Sequence, residues 1–251
     1  MKKKLAFILI VALVLIPSIS FAEPILPGFP GFNLELESTD SPEDVSVTIQ
    51  LLILLTVLSI APAILVLMTS FTRIVVILSF TRNALATNQM PPNQVIIGLA
   101  LFITFFIMTP VFTEVNDMAL QPYLAGEIGQ TQAFDEAVKP FKVFMSKHTR
   151  QQDLALFLSY ADIPEPNSLD EIPLQALVPA FAISELKTAF QIGFMIFIPF
   201  LVLDMIVASV LMSMGMMMLP PVMISLPFKI LLFVLVDGWH LIVRSLLISF
   251  N

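Results

Sequence analysis

Four apolar stretches, each long enough to cross a bilayer and each carrying a proline, limit what this chain can become. The first runs from Val47 to Thr69 with Pro62 inside it, and the second from Val95 to Phe112 with Pro110. The third runs from Ala189 to Leu219 with Pro199, and the fourth from Val222 to Phe250 with Pro227. About 20 helical residues match the hydrocarbon thickness of a membrane. Each proline removes one i to i−4 hydrogen bond and crowds the preceding turn. Unpaired backbone at membrane depth is tolerated only where protein or water covers it. The expected fold is therefore all-α, an integral membrane-type protein of kinked or broken helical hairpins packed against other protein.

Composition agrees. Of the 251 residues, 57% are apolar and only 12% charged, about half the charged share of a soluble domain. That excludes both a soluble globule and a disordered chain. A net charge of −7 leaves no basic footprint, so no nucleic-acid partner is expected. With no cysteine there is no disulfide, thiolate nucleophile or thiolate metal site. Neither a Walker loop, a Gly-x-Gly fingerprint nor a zinc spacing occurs, and His148 and His240 lie far apart in the sequence. Ser70, Ser184 and Ser209 have no base at a readable spacing. No catalytic residue, cofactor or metal is expected.

Composition also changes along the chain. Residues 1–22 read as a signal peptide: Lys2 to Lys4, an apolar run from Leu5 to Ile16, then small residues before Glu23. Residues 23–46 are an acidic, Pro/Gly-rich, non-cytoplasmic segment with no basic residue. Residues 47–113 form a first helical hairpin region, in which residues 70 to 93 are expected as a cytoplasmic connection carrying Arg73 and Arg82. Residues 114–187 are a polar periplasmic segment, with amphipathic helices expected around 130–147, 150–159 and 173–187. Its basic cluster, Lys139, Lys142, Lys147 and Arg150, reads as helix surface charge in acidic surroundings rather than a headgroup site. Residues 188–251 form a second helical hairpin with a methionine-rich turn.

Ionisable residues inside apolar stretches are the first site candidates. Arg73, Asp204, Lys229 and Asp237 are expected to be buried or to face a lumen, because a charge at the bilayer centre costs roughly 3 kcal/mol. Structural ion pairs account for them more simply than direct participation in ion passage. Lys229 and Asp237 are too far apart to pair along one helix, so partners must come from other elements. Glu185, just ahead of the third apolar stretch, reads as a charge favouring a helix start. Small residues mark faces for close helix approach, Gly98 with Ala100 and Thr104 on one and Gly193 on another.

The sharpest local signal is Met212, Met214, Met216, Met217 and Met218, followed by Leu219, Pro220 and Pro221. Half of the chain's 14 methionines fall between Met205 and Met223. Methionine is unbranched and deformable, and it fills irregular gaps without fixing a shape. A soft constriction and a loosely packed hairpin tip both fit this pattern.

Two blocks carry a family resemblance: TSFTRIVVILSFTRNALATNQMPPNQVIIGLALFITFFIMTP, from Thr69 to Pro110, and Ile183 to Leu219 with the following Pro-Pro. Through them, from about Val45 to Asn251, the chain resembles the FliP/SctR family of type III secretion export-gate proteins. The signal-like leader and acidic extension favour the flagellar branch over the injectisome branch. The resemblance implies a ring of about five copies, one interface repeated around an axis, assembled with FliQ and FliR into a helical pore. It places that pore in the bacterial inner membrane at the flagellar basal body, with much of the assembly on the periplasmic side. Met216, Met217 and Met218 align with the family's methionine gasket, with Met212 and Met214 as candidate neighbours. Arg73, Asp204 and Lys229 then look like contacts between subunits, and residues 114–187 like the outer helical region. Unfolded flagellar proteins, delivered through FlhA and FlhB, would pass through the pore, and the chain would catalyse nothing. The competing reading is an ion or small-solute transporter using Asp204 and Asp237.

Overall fold

The computed structural model describes residues 42–87, 89–164, 166, 168–216 and 218–250. The signal peptide expected at 1–22, and the acidic segment up to residue 41, lie outside the described residues. Every regular element among the described residues is helical: α1 (Pro42–Met68), α2 (Phe71–Ala84), α3 (Asn93–Val115), a π-helical turn (Asn116–Leu120), α4 (Gln121–Leu124), α5 (Gln130–His148), α6 (Gln151–Tyr160), α7 (Leu174–Ser213), α8 (Pro221–Leu235) and α9 (Gly238–Ile248). The chain divides into two compact units, residues 1–53 and 54–251. In the first, residues 42–53 are helical. The second holds α2 to α9.

Its centre is α2, inside the stretch expected to connect two spans. Ile74, Ile77, Leu78, Thr81 and Ala84 recur at helical spacing and are all buried. This stripe packs along α7, with α3 also against α2, and α5 and α6 against α7. Leu177, Phe181 and Ala189 of α7 join Ala100 and Met108 of α3, Met145 of α5 and Leu246 of α9 in one apolar core. Midway along α2, Phe80 lies against Gly193, where an added Cβ would sit 2.7 Å from the ring. Phe190 meets the same ring edge-on, with centroids 5.2 Å apart. Gly193 is thus a point of close approach. On the other small-residue face Ala100 and Thr104 are buried, whereas Gly98 has open space where a Cβ would be.

The helices do not break at their prolines. α1, α3, α7 and α8 run on through Pro62, Pro110, Pro199 and Pro227. The sharp break is a 62° bend between α8 and α9, ten residues after Pro227. There Asp237 has φ +50°, the left-handed region that aspartate tolerates better than most residues. Gly238 follows, and a Cβ on it would lie 2.3 Å from the Phe233 ring. A proline removes one hydrogen bond and the backbone can still continue. A left-handed residue redirects the chain outright.

Among the described residues two helical segments are long and apolar enough to span a membrane. They are Asn93–Leu124, which continues α3, and α7 with its 40 residues. The bent pair α8 and α9 makes a third if taken as one span. Of the four stretches expected from hydropathy, the second, third and fourth correspond to these segments, and the first lies within α1, a helix of 27 residues. The helices expected at 130–147 and 150–159 are α5 and α6. The one expected at 173–187 merges with the third apolar stretch into α7, so Glu185 is the twelfth residue of a helix and does not start one.

Candidate functional site

The methionine turn is built by two standard stop-and-start signals. Gly215, at φ +75°, ends α7: its N–H donates to the Met212 carbonyl at 3.1 Å, and the Met216 N–H donates to the Leu211 carbonyl at 3.0 Å. That pair of bonds is the Schellman arrangement, with glycine at the left-handed position. Pro221 then opens α8 from the first helical position, where its missing N–H costs nothing. Between them the chain turns with its side chains outward. Met218 is 98% exposed and Met216 45%, and Met212, Met214 and Met223 are exposed as well. Met217 lies outside the described residues. A tip of exposed, flexible thioethers can take shape against whatever it meets.

Behind the turn, α7 and α8 are joined by a polar contact. Asp204 Oδ2 accepts from Lys229 Nζ at 2.7 Å, and Oδ1 accepts from Ser225 Oγ at 2.5 Å. Lys229 is buried, and its Nζ also donates to the carbonyl of Ala84, the last residue of α2, at 3.2 Å. Asp204 is half-buried.

A second buried pair closes the other end of α2. Arg73 Nε donates to Glu185 Oε2 at 2.8 Å, and Nη2 donates to Oε1. The remaining Nη1 donates to the Ser249 carbonyl at 2.8 Å and to Ser249 Oγ at 3.1 Å. The guanidinium carbon lies 3.9 Å from the centre of the Phe250 ring, a cation–π contact. One arginine thus ties α2, α7 and the C-terminal residues together, with its charge matched by fully buried Glu185. Sequence reading passed over Glu185. The signal was there in the i+4 row Leu177, Phe181, Glu185, Ala189 and Gly193, all buried on one ridge of α7.

Arg73, Asp204 and Lys229, expected as contacts between subunits, therefore have ionic partners within their own chain. Asp237, expected to be buried or to face a lumen, is exposed in the single chain, at the left-handed bend between α8 and α9. Of the basic cluster, Lys139 pairs with Glu136 along α5, as a surface charge does. Arg150 is less ordinary: Asp153 Oδ2 accepts from both Arg150 and Ser184 Oγ, and Ser184 Oγ accepts from the Arg150 N–H at 3.0 Å, joining α6 to α7. His148 packs between Phe144 and Phe250, with its Nδ1 2.8 Å from the Phe144 carbonyl. Burial lowers its pKa below the usual histidine value; the Phe144 carbonyl opposes that shift, and the nearby Arg73 charge adds to it. No cluster of three or more His, Asp or Glu suited to a metal ion occurs among the described residues.

A model of the FliP family matches residues 54–246. The chain is 69% identical over 217 residues to the flagellar biosynthetic protein FliP of Bacillus subtilis, covering 86% of this chain and 98% of that one. It is 55% identical over 206 residues to the Aquifex aeolicus protein of the same name, covering 81% and 86%. Against the Pectobacterium carotovorum protein it is 54% identical over 205 residues, covering 82% and 80%.

Proposed function

The chain belongs to the FliP family, and on that premise we propose that it is a structural, non-catalytic pore subunit of the flagellar type III protein export gate. The observation that carries this reading is coverage of 80 to 98% of three flagellar biosynthetic proteins at 54 to 69% identity. In this reading the hairpin of α7 and α8 presents the turn at Met216 to Met218 to a lumen. Soft side chains meet there to seal the pore against ions and yield to an unfolded flagellar protein. About five copies close one ring, joined by FliQ and FliR and fed through FlhA and FlhB. The assembly sits in the bacterial inner membrane and projects toward the periplasm.

What supports an assembly is the apolar surface that one chain leaves uncovered. In the most apolar window of α7 only 11% of residues are buried, and Phe190, Phe194, Met195 and Met205 are all exposed. The transporter reading is weaker. Both Asp204 oxygens are already engaged, and Asp237 stands apart at the surface.

Coexpression with FliQ and FliR, extraction in mild detergent and native mass spectrometry test the proposal. A particle containing about five copies of this chain together with FliQ and FliR is expected. A monomer or dimer indifferent to those partners would overturn it.

A further inference from the structure

Asp204 and Lys229 face each other across the hairpin that carries the methionine turn. Asp204 lies nine residues before Ser213, the end of α7, and Lys229 eight residues after Pro221, the start of α8. At 1.5 Å per residue, both sit about 12 to 14 Å behind the turn. The carboxylate takes Ser225 from one turn of α8 and Lys229 from the next. A side chain bonded to two successive turns of a facing helix fixes the register of that helix as well as its distance.

The same lysine reaches a third element. The final carbonyls of a helix have no partner within it, and a cation beside them is favoured. Lys229 fills that role for α2 through the Ala84 carbonyl. α2 runs alongside α7 and is held at three heights: Arg73 to Glu185 at its start, Phe80 on Gly193 in its middle, and Lys229 at its end. The hairpin is therefore pinned through one buried ammonium to a helix that is itself fastened along α7. Lys229 is 2% exposed, so loss of its partner strands a buried charge. A shift of the hairpin would relieve it.

We propose that Asp204, Ser225 and Lys229 are positioning residues of the gate, setting the register and height at which the methionine turn projects. This rests on the reading of that turn as the seal. The contacts themselves lie far enough behind the tip that none of the three needs to touch a passing chain.

The test uses the assembled gate in proteoliposomes, with ion leak measured per assembled particle. The variants are Asp204→Asn, Ser225→Ala, Lys229→Met and Lys229→Arg, beside a reference in which Met216, Met217 and Met218 are all alanine. Because the chain has no cysteine, a single Ser213→Cys spin label reports distances between copies at the tip. Asp204→Asn should raise leak about tenfold, the order set by losing one charge-assisted hydrogen bond, and Lys229→Met, which loses two bonds, should raise it more. Ser225→Ala should raise it less, Lys229→Arg should stay tight, and the label distances should broaden in step with leak. A role confined to overall stability would lower particle yield without altering leak or distances in the particles that form. If the triple-alanine reference leaks while assembled Asp204→Asn and Lys229→Met particles stay tight with unchanged distances, the positioning role is overturned and the gate reading stands. If the reference itself stays tight, the gate reading falls, and the inference with it. Should the charge variants fail to assemble, Ser225→Ala decides, since it keeps the ion pair; a tight particle with an unchanged tip overturns the proposal.

Discussion

Arg73 and Glu185 lie 112 residues apart in the chain, and both are buried. Removing one partner of such a pair strands the other charge, which costs about 3 to 5 kcal/mol, whereas replacing both with apolar groups of similar volume is often neutral. Glu185→Ala should therefore lower the thermal unfolding midpoint in detergent markedly, and Arg73→Met with Glu185→Leu should recover most of the loss. A double variant as unstable as the single one would show that the bonds to Ser249 and the contact with Phe250 matter more. His148 offers a second test. Its pKa is lowered in the fold, so between the ordinary value near 6.5 and that lower value the unfolded chain binds the extra proton. Its contribution is thus fully present above about pH 6.5 and is lost as the pH falls through the lowered folded value. Unfolding midpoints measured from pH 7.5 down to 5 should fall more steeply in the native chain than in His148→Gln; parallel curves would refute this. At this scale Arg73, Asp204 and Lys229 were legible as odd charges in apolar stretches. Glu185 was not, because Lys187 and the preceding polar segment made it look like the edge of a span.

At the scale of elements, the chain's punctuation lies in glycine and in left-handed residues more than in its prolines. Gly215 has open space where a Cβ would be, so Gly215→Ala pays only the backbone cost of a left-handed L-residue, about 1 kcal/mol. Gly238 has the Phe233 ring at 2.3 Å from a Cβ position, so Gly238→Ala must move a buried aromatic and should destabilise more. Thermal unfolding of the two variants side by side measures the difference, and equal losses would contradict the packing argument. The break at Asp237 was hidden in sequence because Asp-Gly inside an apolar run reads equally as a buried charge. α2 was partly legible. Its stripe of Ile74, Ile77, Leu78 and Thr81 has helical spacing, yet its length of 14 residues and two arginines suited a connection between spans.

For the whole molecule, the uncovered apolar faces of α3 and α7 must meet lipid or protein. A photoreactive benzophenone residue replacing Phe102, Phe194 or Met205, all exposed in the single chain, should crosslink to a neighbouring protein subunit in the assembled gate. Crosslinks to lipid alone would mean that lipid covers these faces. The sequence by itself determined the all-helical membrane class, the methionine turn ahead of Pro220 and Pro221, and the family, because local hydropathy and turn chemistry depend on residues near one another. Only the tertiary structure decided that the connection at 70 to 93 is a central helix, that Glu185 answers Arg73, and that Asp204 holds Lys229 against the end of α2. Those are meetings between residues 25 to 145 positions apart. A buried charge announces that it needs a partner, and only packing settles which one it finds.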